Sequence, residues 1–266
     1  MAETPAQPRA PELSVVVPVK NEEANVGPLI AEITAALRGR SAFEILYIDD
    51  GSDDGTPAAL RAARADTPEL RILRHESCAG QSAAILTGVR SARSAWVATL
   101  DGDGQNDPAD IPALLAARDA APEPARDPGT GGAGVTLVAG QRLSRRDSAL
   151  KRLSSRVANV VRSRLLRDHA RDTGCGLKLF RRDAYLELPA FDHMHRFLPA
   201  LFARGGGVVL FVGVSHRART RGRSKYGLHN RLWVGVVDLV GVMWLNRRPV
   251  RPVAREERQD RGEPTP

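Results

Sequence analysis

Asp101 and Asp103 stand two residues apart in the segment Leu100-Asp101-Gly102-Asp103-Gly104-Gln105-Asn106-Asp107-Pro108, directly after the apolar run Ala95-Trp96-Val97-Ala98-Thr99-Leu100. The run reads as a short buried strand, and the glycines and proline read as the loop that ends it. Carboxylates at the end of a strand point hard oxygens into the crevice beyond the sheet edge, where ligands of open α/β sheets bind. Hard oxygens suit Mg²⁺ or Mn²⁺ together with a diphosphate. Taken alone, the tripeptide equally describes a solvated Asp/Gly turn, so its meaning depends on what surrounds it.

The elements around it supply a second acidic loop. Leu13–Val19 is a β-branched first strand, and Asn21 opens a helical stretch with apolar residues at Val26, Leu29, Ile30, Ile33 and Leu37. Glu44–Ile48 is a second strand, stopped by Asp49-Asp50-Gly51-Ser52-Asp53-Asp54-Gly55; an Ala-rich helix follows Thr56, then a short strand Leu70–Leu73 and a helix Ala83–Val89. Strands alternating with helices predict a parallel sheet with crossover helices, which sets both acidic loops on one edge of it. Val135–Ala139, the residues after the turn Asp172-Thr173-Gly174-Cys175-Gly176, and Val208–Val214 are expected as further strands.

Two other motif readings fail. Gly129-Thr130-Gly131-Gly132-Ala133-Gly134 fits the dinucleotide fingerprint letter for letter, but it precedes a strand instead of joining a strand to a helix. A calcium loop starting at Asp101 would need Gly at Asn106 and Glu at Pro112.

The 266 residues carry a formal charge of +8 and 42% apolar residues, enough for a substantial core and suited to acidic partners. Only Lys20, Lys151, Lys178 and Lys225 among the 39 basic residues are lysines, so part of the arginine excess is a habit of composition. Cys78 and Cys175 form no disulfide or metal-ligand pattern. With aromatics at 5% and none interleaved among the basic runs, the chain lacks the stacking platform of single-strand nucleic-acid binders; charge alone would support a basic module for RNA or anionic lipid. Arg142–Arg171 sets Leu150, Leu153, Val157, Val160, Val161 and Leu165 at helical spacing among basic residues, a basic amphipathic helix for a membrane surface, a partner or the core. No run reaches the ~20 apolar residues of a membrane span; the nearest, Leu232–Leu245, contains Asp238. The expected organisation is a tail at 1–11, a catalytic domain at 12–226, an amphipathic interfacial helix at 227–246 and a second tail at 247–266.

Ser14-Val15-Val16-Val17-Pro18-Val19-Lys20-Asn21-Glu22 resembles the opening of family 2 glycosyltransferases with the GT-A fold, and the two acidic loops resemble that family's nucleotide and metal motifs. Within it the chain is most similar to polyprenyl-phosphate sugar transferases, such as dolichol-phosphate mannose synthases and undecaprenyl-phosphate transferases. That likeness rests on Arg145-Arg146-Asp147-Ser148, Asp172-Thr173-Gly174-Cys175-Gly176-Leu177-Lys178, Phe197-Leu198-Pro199-Ala200 and Arg219-Thr220-Arg221-Gly222-Arg223-Ser224-Lys225-Tyr226, and spans Leu13–Leu245. Two departures stand out: many members carry C-terminal transmembrane helices that are not found here, and Lys20 replaces a common Tyr.

The resemblance implies a mostly parallel, Rossmann-like GT-A sheet flanked by helices, with basic C-terminal amphipathic helices. It implies inverting transfer of a sugar from a UDP- or GDP-linked donor to a polyprenyl phosphate at the cytoplasmic face of the plasma membrane. The chain would sit there peripherally, with or without a separate membrane-protein partner and without nucleic acid. Asp103, Asp101 and Gln105 are the candidate ligands of Mg²⁺ or Mn²⁺; Pro18, Val19, Asn21, Glu22, Asp49, Asp50, Asp101 and Gly102 are candidates for the nucleotide. Arg142, Arg145, Arg219, Ser224 and Lys225 are candidates for the acceptor phosphate, because a guanidinium fork, an ammonium and a hydroxyl all donate to phosphate oxygens. The alternative within the same family is transfer to a glycan or other hydroxyl acceptor; Asp172 would orient the acceptor, act as base toward such a hydroxyl, or hold a turn.

Overall fold

The computed structural model describes residues 10–121, 134–142, 162–166, 168, 170, 172–218 and 228–248. Its centre is a seven-stranded sheet of strand order 3-2-1-4-6-5-7, formed by β1 (Leu13–Val19), β2 (Phe43–Asp49), β3 (Leu70–Arg74), β4 (Trp96–Thr99), β5 (Val135–Arg142), β6 (Lys178–Arg181) and β7 (Val208–Val214). Every residue of β1 is buried, as an unbroken β-branched run in the middle of a sheet covered on both faces must be. The helices are α1 (Glu23–Leu37), α2 (Thr56–Asp66), α3 (Gln81–Ser91), α4 (Ile111–Asp119), α5 (Arg182–Leu186), α6 (Leu198–Arg204) and α7 (Leu228–Asn246).

The period-two alternation of strand side chains divides the core between the two faces. Val15, Val17, Ile45, Tyr47 and Leu179 pack with α1, α2 and α4 residues such as Ile33, Leu60 and Leu114. Val16, Leu46, Ile48, Val97 and Phe180 pack with Ile85 and Val89 of α3, Tyr185 of α5, Leu201 and Phe202 of α6 and Val242 of α7. Each large aliphatic or aromatic side chain so buried contributes about 1.5–3 kcal/mol of transfer free energy.

Strands β1, β2, β3 and β4 are parallel to their neighbours in the first half, as expected. The departure is β6, which runs antiparallel to both β4 and β5, with Thr99 opposite Lys178 and Ala139 opposite Lys178. It follows from where the chain enters: the turn at residues 172–177 already lies at the edge where β4 ends, so β6 must run back across the sheet. Strand β5 also continues to Arg142, three residues beyond the expected end at Ala139, so Arg142 closes a strand instead of opening the basic helix. Of that helix the described part is a helical stretch at 162–166, with Leu165 exposed and Leu166 buried; Leu150, Leu153, Val157, Val160 and Val161 lie outside the described residues. No helix among the described residues is long and apolar enough to cross a membrane.

Candidate active site

Five strand ends meet at one edge. The carboxyl ends of β1, β2, β4 and β5 and the amino end of β6 deliver Glu22, Asp50, Asp101, Asp103, Arg142 and Lys178, among others, to a single cavity of about 750 Å³. Asp50 and Asp103, predicted from separate motifs, line the same cavity.

Asp101 is held from both sides. Its backbone N–H donates to Asn106 Oδ1 at 3.0 Å, and Gln81 Nε2 donates to its Oδ1 at 2.8 Å. Burial, and then the negative charge of Asp103, push its pKa above the ordinary carboxylate value, against the pull of Lys178 and Arg142. Asp103 accepts the Gln105 N–H at 3.1 Å, and Gln105 Nε2 reaches Arg217 O at 3.4 Å. Two carboxylates crowded into one cavity beside the neutral oxygen of Gln105 form a donor set that a small divalent cation fits. Among the described residues no group of three or more His, Cys, Asp or Glu could hold a metal, so any ion here would complete its shell from elsewhere, as Mg²⁺ does with substrate phosphates.

Gly176 has a role that the sequence does not announce. A Cβ there would stand 2.2 Å from Asp101 Oδ2 and 2.4 Å from its Cγ. Gly176→Ala is therefore expected to swing the Asp101 carboxylate off Gln81 and to lower turnover about 10²-fold, the scale of an ~1 Å misplacement, with little change in melting temperature. Steady-state kinetics and a thermal melt of the variant check it; unchanged turnover would show that Asp101 need not stay where Gln81 holds it.

Lys178 is the largest electrostatic surprise. It is 4% exposed, lines the cavity and donates to the Cys175 carbonyl. Burial lowers its pKa, opposed by Cys175, Asp101 and Asp172. Sequence reasoning placed it only in a turn leading to a strand; the antiparallel register of β6 is what brings it beside Asp101.

Asp50, a nucleotide candidate, lines the cavity and is itself well supplied with donors: Oδ1 accepts His75 Nδ1 and the Ala79 N–H, each at 2.8 Å, while Oδ2 accepts the Gly80 N–H at 2.9 Å and the Cys78 thiol at 3.2 Å. Burial alone would raise its pKa; these donors outweigh it and hold the carboxyl below its ordinary value. Gly80, at φ 92°, turns its N–H onto Asp50 from a conformation that suits glycine. The Gly80-Gln81-Ser82 segment is both the start of α3 and a wall of the site, binding Asp50 and Asp101 in successive residues.

Two further nucleotide candidates sit behind the wall. Asn21, at φ 52°, ties the loop after β1 to the loop after β2: its N–H donates to Ser52 Oγ at 2.9 Å, its Oδ1 accepts the Asp53 N–H at 3.0 Å and its Nδ2 donates to Asp53 Oδ1. Asp49 is 1% exposed and accepts the Ser52 N–H at 2.9 Å. Neither lines the cavity; both bond the loops that shape its wall. Pro18, Val19, Glu22 and Gly102 do line it; Glu22 Oε2 accepts from Asn25 Nδ2 at 2.7 Å.

Asp172 and Arg142 form a bidentate ion pair, Nε to Oδ2 at 2.5 Å and Nη2 to Oδ1 at 2.8 Å, and Asp172 Oδ1 also accepts the Gly174 N–H at 3.2 Å. Burial opposes the Arg142 charge, and Asp172 more than offsets it. Across the cavity, Arg217 binds Asp107 at 2.6 Å and Glu32 at 2.7 Å, and its N–H donates to the Gln105 carbonyl at 3.0 Å, so the chain leaving β7 is fastened to the acidic loop. Arg145, Arg219, Ser224 and Lys225 lie outside the described residues. His195, which no motif reading singled out, enters the cavity from the turn Met194–Arg196 and pairs with Ser82.

Residues 14–188 match the family described as glycosyl transferase family 2. Dodecaprenyl-phosphate galacturonate synthase of Rhizobium johnstonii is 36% identical over 249 residues, 91% of this chain and 69% of that protein. Undecaprenyl-phosphate 4-deoxy-4-formamido-L-arabinose transferase of Pseudomonas paraeruginosa is 36% identical over 235 residues, 87% of this chain and 65% of that protein. The chain thus spans about two thirds of the length of these relatives. In fold, it is similar to glucosyl-3-phosphoglycerate synthase from Mycobacterium tuberculosis, solved with Mn²⁺, UDP and glucosyl-3-phosphoglycerate, at a TM-score of 0.63 and 20% identity over 89% of this chain and 80% of that one. The sheet expected of a GT-A enzyme is therefore present, and the reading as a non-catalytic basic module gives way. With its acidic loops converging at one sheet edge and relatives that are named sugar transferases and synthases, the chain belongs to glycosyltransferase family 2.

Proposed function

We propose that this protein moves a sugar from a nucleotide-diphosphate donor to a polyprenyl phosphate, inverting the anomeric configuration. The observation that carries this reading is a single cavity lined by the carboxylates Asp101 and Asp103 together with the cations Arg142 and Lys178. Such a site accepts a cation-bound diphosphate against the first group and an anionic acceptor against the second.

Pro18, Val19, Glu22 and Gly102 form the nucleoside wall, with Asp50 fixing its shape from behind. Asp101, Asp103 and Gln105 would hold Mg²⁺ or Mn²⁺, which when bound neutralises charge building on the leaving diphosphate. Arg142 offers the acceptor phosphate the guanidinium edge that Asp172 does not hold. Arg145, Arg219, Ser224 and Lys225 are assigned the same task; Arg219 follows two residues after Arg217, which is bound to the acidic loop. A phosphate monoester has a second pKa near ~6 and is a nucleophile without a base. Its oxygen attacks the anomeric carbon from the face opposite the diphosphate, a carbon–oxygen bond forms as the bond to the diphosphate breaks, and the nucleoside diphosphate departs. Asp172, bound to Arg142, positions that guanidinium and takes no proton.

The residues at 12–226 form the catalytic unit, and the helix at 227–246 lies in the membrane interface. In support, α7 leaves Val236, Val237, Val240 and Trp244 from 45% to 60% exposed, while Val242 packs inward and Arg247 and Arg248 follow the helix. An apolar face bordered by arginines suits an anionic bilayer surface, and we place the protein on the cytoplasmic face of the plasma membrane.

The test is incorporation of sugar into polyprenyl phosphate in vesicles containing anionic lipid. UDP- and GDP-sugars are offered with Mn²⁺ or Mg²⁺, and the lipid is read by mass spectrometry. A glycosylated lipid phosphate is expected from one donor. Transfer only to soluble hydroxyl acceptors would overturn the reading.

A further inference from the structure

The segment at the start of α3 orders the cavity. Ala79 and Gly80 N–H groups hold Asp50 on the nucleoside side, Gln81 holds Asp101 at the diphosphate position, and Ser82 holds His195. Reading along these four residues therefore reads along the donor: nucleoside, diphosphate, then whatever the diphosphate carries. His195 and Leu198 line the same cavity as Asp50 and Asp101.

The imidazole is fixed in orientation. Its Nδ1 lies 2.8 Å from Ser82 Oγ, and the backbone N–H of His195 donates to the same oxygen at 3.4 Å. Ser82 Oγ accepts that N–H on one lone pair, and we assign its own hydrogen to Nδ1 and the ring proton to Nε2. Burial first, then the positive charges of Lys178, Arg196 and His193, lower the His195 pKa to about 3, so the ring is neutral at physiological pH. A neutral imidazole with Nδ1 spent on Ser82 has one polar function left, an Nε2–H donor.

We propose that His195 is a specificity-determining residue for the donor, giving its Nε2–H to a hydroxyl or carboxylate oxygen of the transferred sugar. The inference rests on the donor reading above and deepens it: nucleoside and diphosphate are bound elsewhere, and His195 discriminates what is attached to them. A buried donor that must find an acceptor rejects a sugar lacking the oxygen, because it would be left unpaired.

Calorimetry on the full chain with Mn²⁺ tests it, using UDP-galacturonate, UDP-glucose and GDP-mannose, each paired with bare UDP or GDP. The quantity read is the ratio of the dissociation constants of nucleotide-sugar and bare nucleotide. His195→Phe is expected to shift that ratio about tenfold against the sugar for the donor the protein prefers, the scale of one lost hydrogen bond, with bare-nucleotide affinity nearly unchanged. His195→Gln, which keeps an N–H donor, recovers part of the loss, and Ser82→Ala shifts the ratio in the same direction by releasing the ring. An unchanged ratio in His195→Phe and His195→Gln, or an equal loss for nucleotide and nucleotide-sugar, overturns the inference while leaving the enzyme reading intact. A wild-type protein that binds no nucleotide at all sinks the donor reading, and the inference falls with it.

Discussion

Asp101→Asn is expected to reduce sugar transfer by about 10³-fold and, at neutral pH, to raise the melting temperature by roughly 3 °C. The two effects share a cause. Burial and the adjacent Asp103 charge raise the Asp101 pKa, so the folded protein disfavours its ionised form more than the unfolded chain does. The sign follows. At a pH below the ordinary carboxylate value of about 4, Asp101 is protonated in both states and costs nothing. As pH rises through that value the unfolded chain releases its proton first, and the folded state pays a penalty that is complete once pH passes the raised value. The stabilisation by Asp101→Asn should accordingly be larger at pH 7.5 than near pH 4, where it fades. Asn keeps an oxygen for Gln81 Nε2, so the loop geometry survives while the charge that the reaction uses is gone. Thermal melts at the two pH values and steady-state kinetics check both halves; a variant that is less stable at pH 7.5 would show that Asp101 is held for the fold and not for the chemistry.

What the sequence made legible follows from how local each signal is. Unbroken β-branched runs and helical periodicity located β1, β2, β7 and α1 within a residue or two, because burial on both sheet faces is written into consecutive residues. The acidic loops were legible for the same reason: a carboxylate that follows a strand in a parallel sheet has only one edge to occupy. The second layer of the site was not legible. Ser82 and His195 meet across 113 residues and Gln81 and Asp101 across 20, distances over which no periodicity constrains the partner. The direction of β6 was equally hidden, since a period of two reads the same in both directions, and that direction alone decides whether Lys178 sits beside Asp101 or at the far edge. Equally hidden was that Asn21 would bond Ser52 and Asp53 and that Asp49 would accept the Ser52 N–H, contacts that knit the loops after β1 and β2.

Asp172 and Arg142 separate the two acceptor chemistries by experiment. Their side chains are 9% and 14% exposed, so removing either partner leaves a largely desolvated charge. Asp172→Ala is expected to cost about 3 kcal/mol of stability, and Arg142→Met combined with Asp172→Leu less than Asp172→Leu alone, because the double change removes both charges together. In transfer to polyprenyl phosphate the acceptor arrives ionised, so the guanidinium matters more than the carboxylate that holds it. Arg142→Ala should then lower kcat/KM about 10²-fold or more, through loss of a charge-assisted fork, while Asp172→Asn, which keeps an oxygen toward Arg142 and toward the Gly174 N–H, should lose only about tenfold. A hydroxyl acceptor reverses the order: a general base contributes about 10²–10⁴-fold, and Asn cannot take a proton. Urea denaturation and kinetics on these five variants therefore decide more than stability. If Asp172→Asn abolishes transfer while unfolding like the parent protein, Asp172 is a base, and the acceptor is a hydroxyl and not a lipid phosphate.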